Sequence, residues 1–515
     1  MKSRGRIITV VLLCVLLLAA AVILWPLTKS GFFVSDDGEW MIIRLSAFYQ
    51  SFRDGQFPVR FLDRLNHGYG YPIANFLYPG FLYIGSFIHL VGFSFVDSVK
   101  LILAGSVMGS AIFVFFWLRS KFTTIASFMG SLSFLFAPYL VFDLYARGSV
   151  GEVLAFLAMA ICLYSIDRPA RWIFPFAVGL LLVSHNSLAF IFSIFLCFYL
   201  IVQKKRDYWI PGIAGFGMAA FFWIPALLER RFVLFDTEII ARSASYFIDN
   251  GKLLLINAVP FLAGVLIITN GTLRRKPMVV FFLIVFATGT LFSTSLSASV
   301  WNIRWVSVLV QFPYRFLSVA ILAGSWLVAR LVDRASAGMT VGLTLVFFVM
   351  WMIPFWQITR GIVRVEREEG YYTTNEATTT VADEYLPRWV SERPKSRAPK
   401  KLEFIEGKGV VSLQKVSTRR IEAAIEVTER GILRMNTIYY PGWGAELNGT
   451  PAHISYRNPM GLISIAVPKG VHRLIIEFRE TPSRLLADVM SGISMIIAFS
   501  FVGAELKKRL QGGAR

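Results

Sequence analysis

The sequence predicts a polytopic α-helical membrane protein that carries a β-sandwich-like domain outside the membrane. Of its 515 residues, 56% are hydrophobic and 16% are charged, whereas a soluble globular chain is about a quarter charged and under half apolar. The apolar residues form runs of the roughly 20 residues that a spanning helix needs. The net charge of +20 comes from short basic clusters between these runs, which is typical of membrane topology rather than of nucleic-acid binding.

About twelve apolar runs are candidate membrane spans. The first, residues 7–27, has no small-residue cleavage site, so we expect a retained anchor rather than a cleaved signal peptide. The others lie near residues 97–118, 122–142, 152–166, 172–184, 186–202, 208–227, 252–270, 278–296, 313–331, 339–357 and 484–504.

One further apolar stretch, residues 76–93, is not expected to cross the membrane. If it stays outside, the basic clusters between the spans all fall on the side of the N-terminus, as the positive-inside rule requires. These clusters are Arg119/Lys121, Arg168/Arg171, residues 204–206, residues 274–276, Arg330/Arg334 and residues 507–509. The stretch is therefore an interfacial or re-entrant helix within a long first external loop, residues 28–96. Both termini are then cytoplasmic in a multi-pass protein of the cell membrane.

A second external region, residues 358–483, is predicted to be rich in β-strands. Residues 409–413, 423–427, 433–440 and 462–467 have strand-like patterns, and Pro441-Gly442, Asn448-Gly449 and Pro468-Lys469-Gly470 are turn signals. Short strands at this spacing predict a β-sandwich-like domain. It would stand between a transmembrane domain, residues 1–357, and a last span with a basic tail, residues 484–515.

Ionisable residues at the outer ends of the spans are the candidate functional residues, because charges near a bilayer interior are costly. Asp36 and Asp37 follow the first span, and a helical pattern then places Arg44 on the same face as Asp37. The structural alternative is that Ser35 or Asp36 caps this helix.

Three tyrosines of the first loop, Tyr69, Tyr71 and Tyr78, lie in Gly- and Pro-rich turns. Tyrosines in turns of this kind are typical of an aromatic belt at the membrane face, but their density here is more than such a belt requires.

Two other external loops add polar candidates. Residues 143–152 contain Tyr145, Arg147 and Glu152, and an ion pair within this loop is the structural alternative for the charges. His185 lies at another outer span end, where a structural histidine is the more common case. Arg315 opens a span on the external side, the wrong side for a topological cation but the right depth for a lipid phosphate.

Several of these stretches, in this order, resemble bacterial membrane proteins called 6-pyruvoyl-tetrahydropterin synthase-related. They are DDGEW at 36–40, GQFPVRF at 55–61, GYGYP at 68–72, DLYARG at 143–148, SHN at 184–186 and QFPYRF at 311–316. Residues 439–449 and 467–478 resemble the C-terminal β-domain of YfhO-type membrane proteins. Both families are similar to the GT-C glycosyltransferases.

The resemblance implies a GT-C-like enzyme that transfers a sugar, with inversion, from a polyprenyl-phosphate donor lipid. The acceptor would be a glycan, lipid or protein of the cell envelope on the outer face. In such enzymes an acidic residue of the first external loop is the base, which here is Asp37 or Asp36. Where these families often have a histidine beyond the acid, this sequence has Met41.

The residues themselves agree with these roles. A carboxylate would take the acceptor's proton, and Arg147 and Arg315 would stabilise the leaving phosphate. We expect no cofactor and no metal, because Asp143 and Glu152 flank an arginine and form a poor cage for a divalent cation. The remaining candidates for contact with substrate are Arg44, Tyr69, Tyr71, Tyr78, Tyr145, Glu152 and His185.

Two other classes of protein fit a chain of this kind. A transporter or flippase of lipid-linked glycans would have as many spans, but the sequence shows no repeat between its halves and its polar residues lie in external loops. A non-catalytic envelope scaffold would leave the acidic and basic residues of the first two loops without a purpose.

Overall fold

The computed structural model describes residues 2–168, 170–235, 246–270 and 276–512. Arg274 and Arg275, which belong to one of the predicted basic clusters, lie outside the described residues.

Helices dominate the chain. In chain order they are α1 (Lys2–Leu24), α2 (Gly38–Arg53), α3 (Gly80–Leu90), α4 (Phe95–Arg119), α5 (Thr124–Leu135), α6 (Pro138–Phe142), α7 (Val150–Asp167), α8 (Phe174–Ser184), α9 (Asn186–Val202), α10 (Trp209–Met218), α11 (Ala220–Glu229), α12 (Asn250–Thr269), α13 (Pro277–Phe292), α14 (Ala298–Trp301), α15 (Arg304–Val310), α16 (Leu317–Val332), α17 (Ala337–Thr359), α18 (Glu369–Thr374) and α19 (Pro482–Gly512).

The described helices make this a multi-pass membrane protein with fewer spans than predicted. Six stretches are long and apolar enough to cross a bilayer, and two bent pairs, α5 with α6 and α10 with α11, raise the number to eight. The remaining predicted spans coincide with α8, α9, α12 and α13. These helices are short, because His185 separates α8 from α9 and Asn257 interrupts the helical geometry of α12. The prediction of about twelve spans is therefore too high by this measure.

The stretch at residues 76–93 contains only the short helix α3. Its 11 residues extend about 16 Å, roughly half the hydrocarbon thickness of a bilayer. The helix packs against α2 and α4, with Gly85 leaving room for Leu45. This length agrees with the prediction that the stretch does not span.

The β-region within residues 358–483 forms one antiparallel sheet of six strands rather than the two sheets of a sandwich. The strands are β3 (Leu402–Val416), β4 (Arg420–Ile438), β5 (Trp443–Leu447), β6 (Thr450–Ala452), β7 (Leu462–Val467) and β8 (Gly470–Phe478), after a small pair β1 (Phe32–Phe33) and β2 (Arg364–Val365). The predicted strands 423–427 and 433–440 are parts of the single strand β4. Its first half pairs with β8 and its second half with β7. All three predicted turns separate strands.

Buried ion pairs fix the last helix to α11 and to the first loop. Arg484 is 0% exposed, and its Nε and Nη2 each donate to the carboxylate of Glu229 over 2.7 Å. Tyr440, at the end of β4, donates to the same carboxylate. Arg60 of the first loop likewise pairs with Glu480 and Asp488. The β-sheet, the first loop and the last span are therefore held in one arrangement.

The predicted orientation can be tested with two single cysteines. In a background of Cys14→Ser and Cys197→Ser, a cysteine at Ser412 on β3 should react with an impermeant maleimide outside intact cells. A cysteine at Ser120, which follows α4, should react only after the inner face is opened. Labelling of position 120 from outside would contradict the predicted topology.

Candidate functional site

A polar cavity of about 460 Å³ lies between the ends of several helices, the loop at residues 28–96 and residues 358–483. Seven residues predicted from the sequence line it: Asp36, Asp37, Arg44, Tyr78, Arg147, His185 and Arg315. The other lining residues are Trp40, Met41, Leu77, Asn186, Ser187, Phe235, Tyr246, Gln311, Phe312, Thr380, Val381, Ala382, Glu384 and Tyr385.

The two aspartates are positioned by backbone pairing between distant loops. The N–H groups of Asp36 and Asp37 donate to the carbonyl oxygens of Ala146 and Arg147 over 3.0 and 2.9 Å. Ser35, rather than either aspartate, caps α2 by accepting from the N–H of Gly38 over 3.1 Å. Both carboxylates are therefore available for other contacts.

The two carboxylates differ in their surroundings. Asp37 accepts a hydrogen bond from Nη2 of Arg147 over 3.1 Å and is engaged in an ion pair. Asp36 is exposed to the cavity. Loss of hydration from nearby protein raises the pKa of the Asp36 carboxyl, which Arg147 partly offsets and Asp37 reinforces. Asp36 is therefore the more open of the two carboxylates, and its pKa is raised.

Arg147 is held by aromatic and polar groups of the turn before α16. Its Nη1 donates to the hydroxyl of Tyr314. Its guanidinium lies over the rings of Phe312 and Tyr314, at 5.1 and 5.3 Å from their centroids. The side chain is 6% exposed, so its position is set by the protein rather than by water.

Arg315 is also fixed, and most of its N–H groups are used. Its Nε donates to Oε1 of Glu152 over 2.8 Å. Its Nη1 has three acceptors, the side chains of Ser187 and Gln311 and the carbonyl of Val310. Among the described residues, the partner of its Nη2 is the ring nitrogen Nε2 of His185, at 3.3 Å. Nη2 is the part of this guanidinium with hydrogen-bonding capacity left for a ligand.

Glu152 and His185 support these arginines. Glu152 is 0% exposed and does not line the cavity. Its Oε1 is 3.5 Å from Nε2 of His185 and 3.8 Å from Nη2 of Arg147, and its Oε2 accepts from Tyr139. His185 caps α9 by accepting from the N–H of Leu188. Glu152 therefore acts behind the cavity wall rather than on a substrate.

A segment of residues 358–483 forms one wall of the cavity, which we call the outer wall. It contributes Thr380, Val381, Ala382, Glu384 and Tyr385, all of which the sequence analysis missed. No local motif marks these residues, because they reach the site only through tertiary contacts.

Two predicted residues hold this wall in place. Arg44 donates to the side chain and carbonyl oxygen of Thr379. The hydroxyl of Tyr71 contacts Thr380 and accepts from the N–H of Tyr385.

Three of the predicted tyrosines do not line the cavity. Tyr71 is buried behind the outer wall. Tyr145 is buried with its hydroxyl donating to the carbonyl of Ile23. The carbonyl of Tyr69 accepts from the N–H of Ile438 at the β-sheet. Of the four predicted tyrosines, Tyr78 alone lines the cavity, where the centroid of its ring lies 4.7 Å from that of the His185 ring.

An apolar groove of about 570 Å³ adjoins the polar cavity. The two share Asn186, Phe235, Gln311 and Tyr385. The groove is lined further by Phe76, Leu182, Ala189, Phe190, Ser193, Ile194, Cys197, Phe198, Phe216, Phe222, Trp223, Ala226, Leu227, Arg230, Val308 and Leu309. The site therefore offers a charged compartment next to a hydrophobic one.

The acidic residues do not form a metal cage. Within the described residues, no group of three or more His, Cys, Asp or Glu side chains is arranged to hold a metal ion. Asp143 and Glu152 are adjacent, but both are buried beside Arg147 and Arg315, whose positive charges oppose a cation.

The contact between the loops depends on Gly148, which has a φ of +62°. A Cβ there would lie 2.4 Å from Oγ of Ser35 and 2.9 Å from the N and Cα of Gly38. Gly148→Ala should therefore lower thermal stability in detergent by more than the roughly 1–2 kcal/mol of left-handed backbone alone. Gly55→Ala is the matched control, since Gly55 has a φ of +82° and open space around it. Equal losses in the two variants would show that this loop contact is loose.

No family model matches the chain, and no curated protein matches its sequence. Among solved structures it is similar to the arabinofuranosyltransferase AftD from mycobacteria, with 17% identity and a TM-score of 0.44 over 67% of this chain and 26% of that one. It is similar to the oligosaccharyltransferase of Archaeoglobus fulgidus, with 12% identity and a TM-score of 0.42 over 72% and 56%. It is also similar to ArnT from Cupriavidus metallidurans bound to undecaprenyl phosphate, with 15% identity and a TM-score of 0.43 over 66% and 62%. The chain thus spans less than two thirds of the length of each of these proteins.

Proposed function

We propose that this protein is a membrane glycosyltransferase that moves a sugar from a polyprenyl-phosphate donor to an acceptor of the cell envelope on the outer face. The observation that carries the proposal is the junction of two compartments. A cavity with two carboxylates and buried arginines opens into an apolar groove. A ligand with a charged head and a long hydrocarbon chain matches both.

The donor lipid would lie across this junction. Its isoprenoid chain would occupy the groove, where burial of apolar surface favours binding by about 25 cal/mol per Å². Its phosphate would lie near Gln311, which lines both compartments and contacts Arg315. Nη2 of Arg315 and the guanidinium of Arg147 then face the phosphate, and these cations stabilise its charge as it leaves.

The transfer needs one base and one leaving group. The acceptor oxygen attacks the anomeric carbon while the bond from that carbon to the phosphate oxygen breaks. The proton of the acceptor hydroxyl goes to a carboxylate, and the bond electrons leave with the polyprenyl phosphate. We assign the base to Asp36, which is exposed to the cavity and has a raised pKa, and assign Asp37 to the positioning of Arg147.

The outer wall gives the second external region a role in acceptor binding. Glu384 lies on this wall, and its Oε2 accepts from the N–H of Ala382. Residues 358–483 would thus present the acceptor to Asp36 rather than perform the chemistry. A flippase would move the same lipid without cleaving it, so release of polyprenyl phosphate separates the two functions.

The roles of the two aspartates can be separated by three amide variants. Asp36→Asn should lower the single-turnover rate roughly 10²–10⁴-fold, as expected for loss of a positioned base, while undecaprenyl phosphate still binds. Asp37→Asn should weaken that binding because Arg147 loses its partner. Glu39→Gln is the control, since Glu39 lies two residues after Asp37 in the first turn of α2 and pairs with Arg367 outside the cavity. The donors are undecaprenyl phosphates carrying glucose, mannose, galactose or arabinose, and the measurement is release of undecaprenyl phosphate.

The pH dependence of the transfer rate is a second test of Asp36 as the base. Because the pKa of Asp36 is raised, the rate should fall with decreasing pH at a value above the roughly 3.9 of an ordinary aspartate. Full transfer by Asp36→Asn would contradict its role as base, and full transfer by both aspartate variants would contradict the proposed mechanism.

The apolar groove contains a native reporter, Cys197, which is exposed there. In a Cys14→Ser background, undecaprenyl phosphate at about ten times its Kd should slow modification of Cys197 by N-ethylmaleimide about tenfold. The control is Cys14 in a Cys197→Ser background, because Cys14 lies on α1 outside the groove and should not be protected. Equal rates at Cys197 with and without the lipid would show that the chain lies elsewhere.

A further inference from the structure

Arg44 is a buried arginine of the cavity that has no ion-pair partner among the described residues. It lies on α2, lines the cavity and is 6% exposed. Of the other arginines that line the cavity, Arg147 pairs with Asp37. Arg315 pairs with Glu152. Because a guanidinium group taken out of water without an opposite charge is costly, the positive charge of Arg44 is available to an anionic ligand.

The hydrogen bonds of Arg44 leave one edge of its guanidinium group open. Thr379 occupies the edge formed by Nε and Nη2, since its hydroxyl oxygen accepts from Nε over 3.0 Å and its carbonyl oxygen accepts from Nη2. At the edge formed by Nη1 and Nη2, the described partner is Sδ of Met41, 3.5 Å from Nη1. A thioether sulfur is only a weak acceptor. This edge therefore retains parallel N–H groups, the geometry that binds a carboxylate or a phosphate in a bidentate manner.

The carboxylates of the cavity restrict the kind of anion that can bind. Two of them, Asp36 and Glu384, line the cavity but form no ion pair with Arg44 within the described part of the chain. Together with Asp37 they balance the three lining arginines in number, so the argument for Arg44 is local and does not depend on a surplus of positive charge. A polyanion would be repelled by these carboxylates. A sugar with a single anionic group would instead offer them hydroxyl donors.

The position of Arg44 associates it with the outer wall rather than with the apolar groove. Its partner Thr379 directly precedes the wall segment. Trp40, one turn earlier on α2, also lines the cavity, and the centroid of its ring is 5.9 Å from Cζ of Arg44. The arginine at the junction with the groove is Arg315, which contacts Gln311. Arg44 lines the cavity but not the groove, so its open edge is on the side proposed for the acceptor.

We propose that Arg44 binds an anionic group on the acceptor, which is then an acidic glycan that carries a carboxylate or a phosphate. This inference rests on the proposed function, because it divides the cations of the cavity between two substrates. Arg147 and Arg315 hold the donor phosphate, and Arg44 holds the anion of the acceptor. The indole ring of Trp40 supplies an apolar surface for the sugar that bears the anion. A hydroxyl group of the same glycan then meets Asp36.

The first test measures the binding of matched acidic and neutral sugars to the full-length protein in detergent by ligand-observed NMR. The pairs are glucuronic acid with glucose, galacturonic acid with galactose, and glucose 6-phosphate with glucose. Undecaprenyl phosphate is present, so that Arg147 and Arg315 are occupied. In at least one pair the acidic sugar should bind about tenfold more tightly, because hydrogen bonds to charged groups are the strong ones. Equal affinities within every pair would overturn the proposal.

Variants of Arg44 separate binding of the anion from support of the wall. Arg44→Gln should bring the affinities within a pair to within about threefold, and Arg44→Lys, which keeps the charge but not the fork, should retain part of the preference. Thr379→Val is the matched control, because it removes a wall contact of Arg44 and keeps its charge. The preference for the acidic sugar should persist in this control. Equal weakening of both sugars by Arg44→Gln, or full loss of the preference in Thr379→Val, would show that Arg44 only holds the wall.

A third measurement asks whether the anion belongs to the donor instead. Undecaprenyl phosphate and undecaprenyl diphosphate should each bind Arg44→Gln within about threefold of the parent protein. Selective loss of diphosphate binding would assign the anion to the donor and overturn the proposal. None of these measurements requires transfer of a sugar. If no donor releases undecaprenyl phosphate, the proposed function fails, whereas a preference for acidic sugars that depends on Arg44 would still establish the anion site.

Discussion

The charge of Glu152 is the constraint on which the rest of the site depends. Two guanidinium groups, those of Arg147 and Arg315, are buried near the ends of membrane helices. Removal of one partner from a buried pair costs about 3–5 kcal/mol, because the other charge is left without compensation. Glu152 provides this compensation from α7, with Oε1 2.8 Å from Nε of Arg315 and 3.8 Å from Nη2 of Arg147. The arginines can therefore remain buried and still present positive charge to the cavity.

This arrangement explains why the aspartates lie where they do. Arg147 belongs to a short π-helical turn that ends at Gly148, and the absence of a side chain at Gly148 lets Ser35 and Gly38 approach. The same approach allows Asp36 and Asp37 to pair their N–H groups with the turn. The position of the acid is thus set by the backbone of a loop more than a hundred residues away. A similar dependence holds for Arg44, whose partner Thr379 lies in the second external region.

The parts of this architecture that a sequence can reveal are those with local or membrane-wide patterns. Apolar runs located the helices, although their lengths depend on breaks at His185 and Asn257 that hydropathy averages over. Turn signals at Pro441-Gly442 and Asn448-Gly449 located the ends of strands, but a long strand such as β4 has no signal for its change of partner between β8 and β7.

The residues of the site also divide into those with a local sequence signal and those placed by tertiary contacts. Charged residues at outer span ends are unusual enough to be recognised singly, and this identified Asp36, Arg147 and Arg315. The residues of the outer wall could not be found in this way, because Glu384 and Tyr385 lie in an ordinary polar segment. Tyr69 and Tyr145 show the converse, because tyrosine is a residue type that suits sugar binding but neither side chain lines the cavity. Tertiary packing places Tyr69 at the β-sheet and Tyr145 against α1.

The location of the outer wall has a consequence for the order of binding. The wall is held by Arg44, which lines the cavity, and by Tyr71, which is buried behind the wall. The apolar groove meets the cavity at Asn186, Phe235, Gln311 and Tyr385, and of these residues Tyr385 belongs to the wall. If the proposed function holds, a lipid in the groove would reach the arginines past Gln311, whereas an acceptor would meet the segment with Glu384 first. The two substrates would then approach Asp36 by separate routes that border each other at Tyr385.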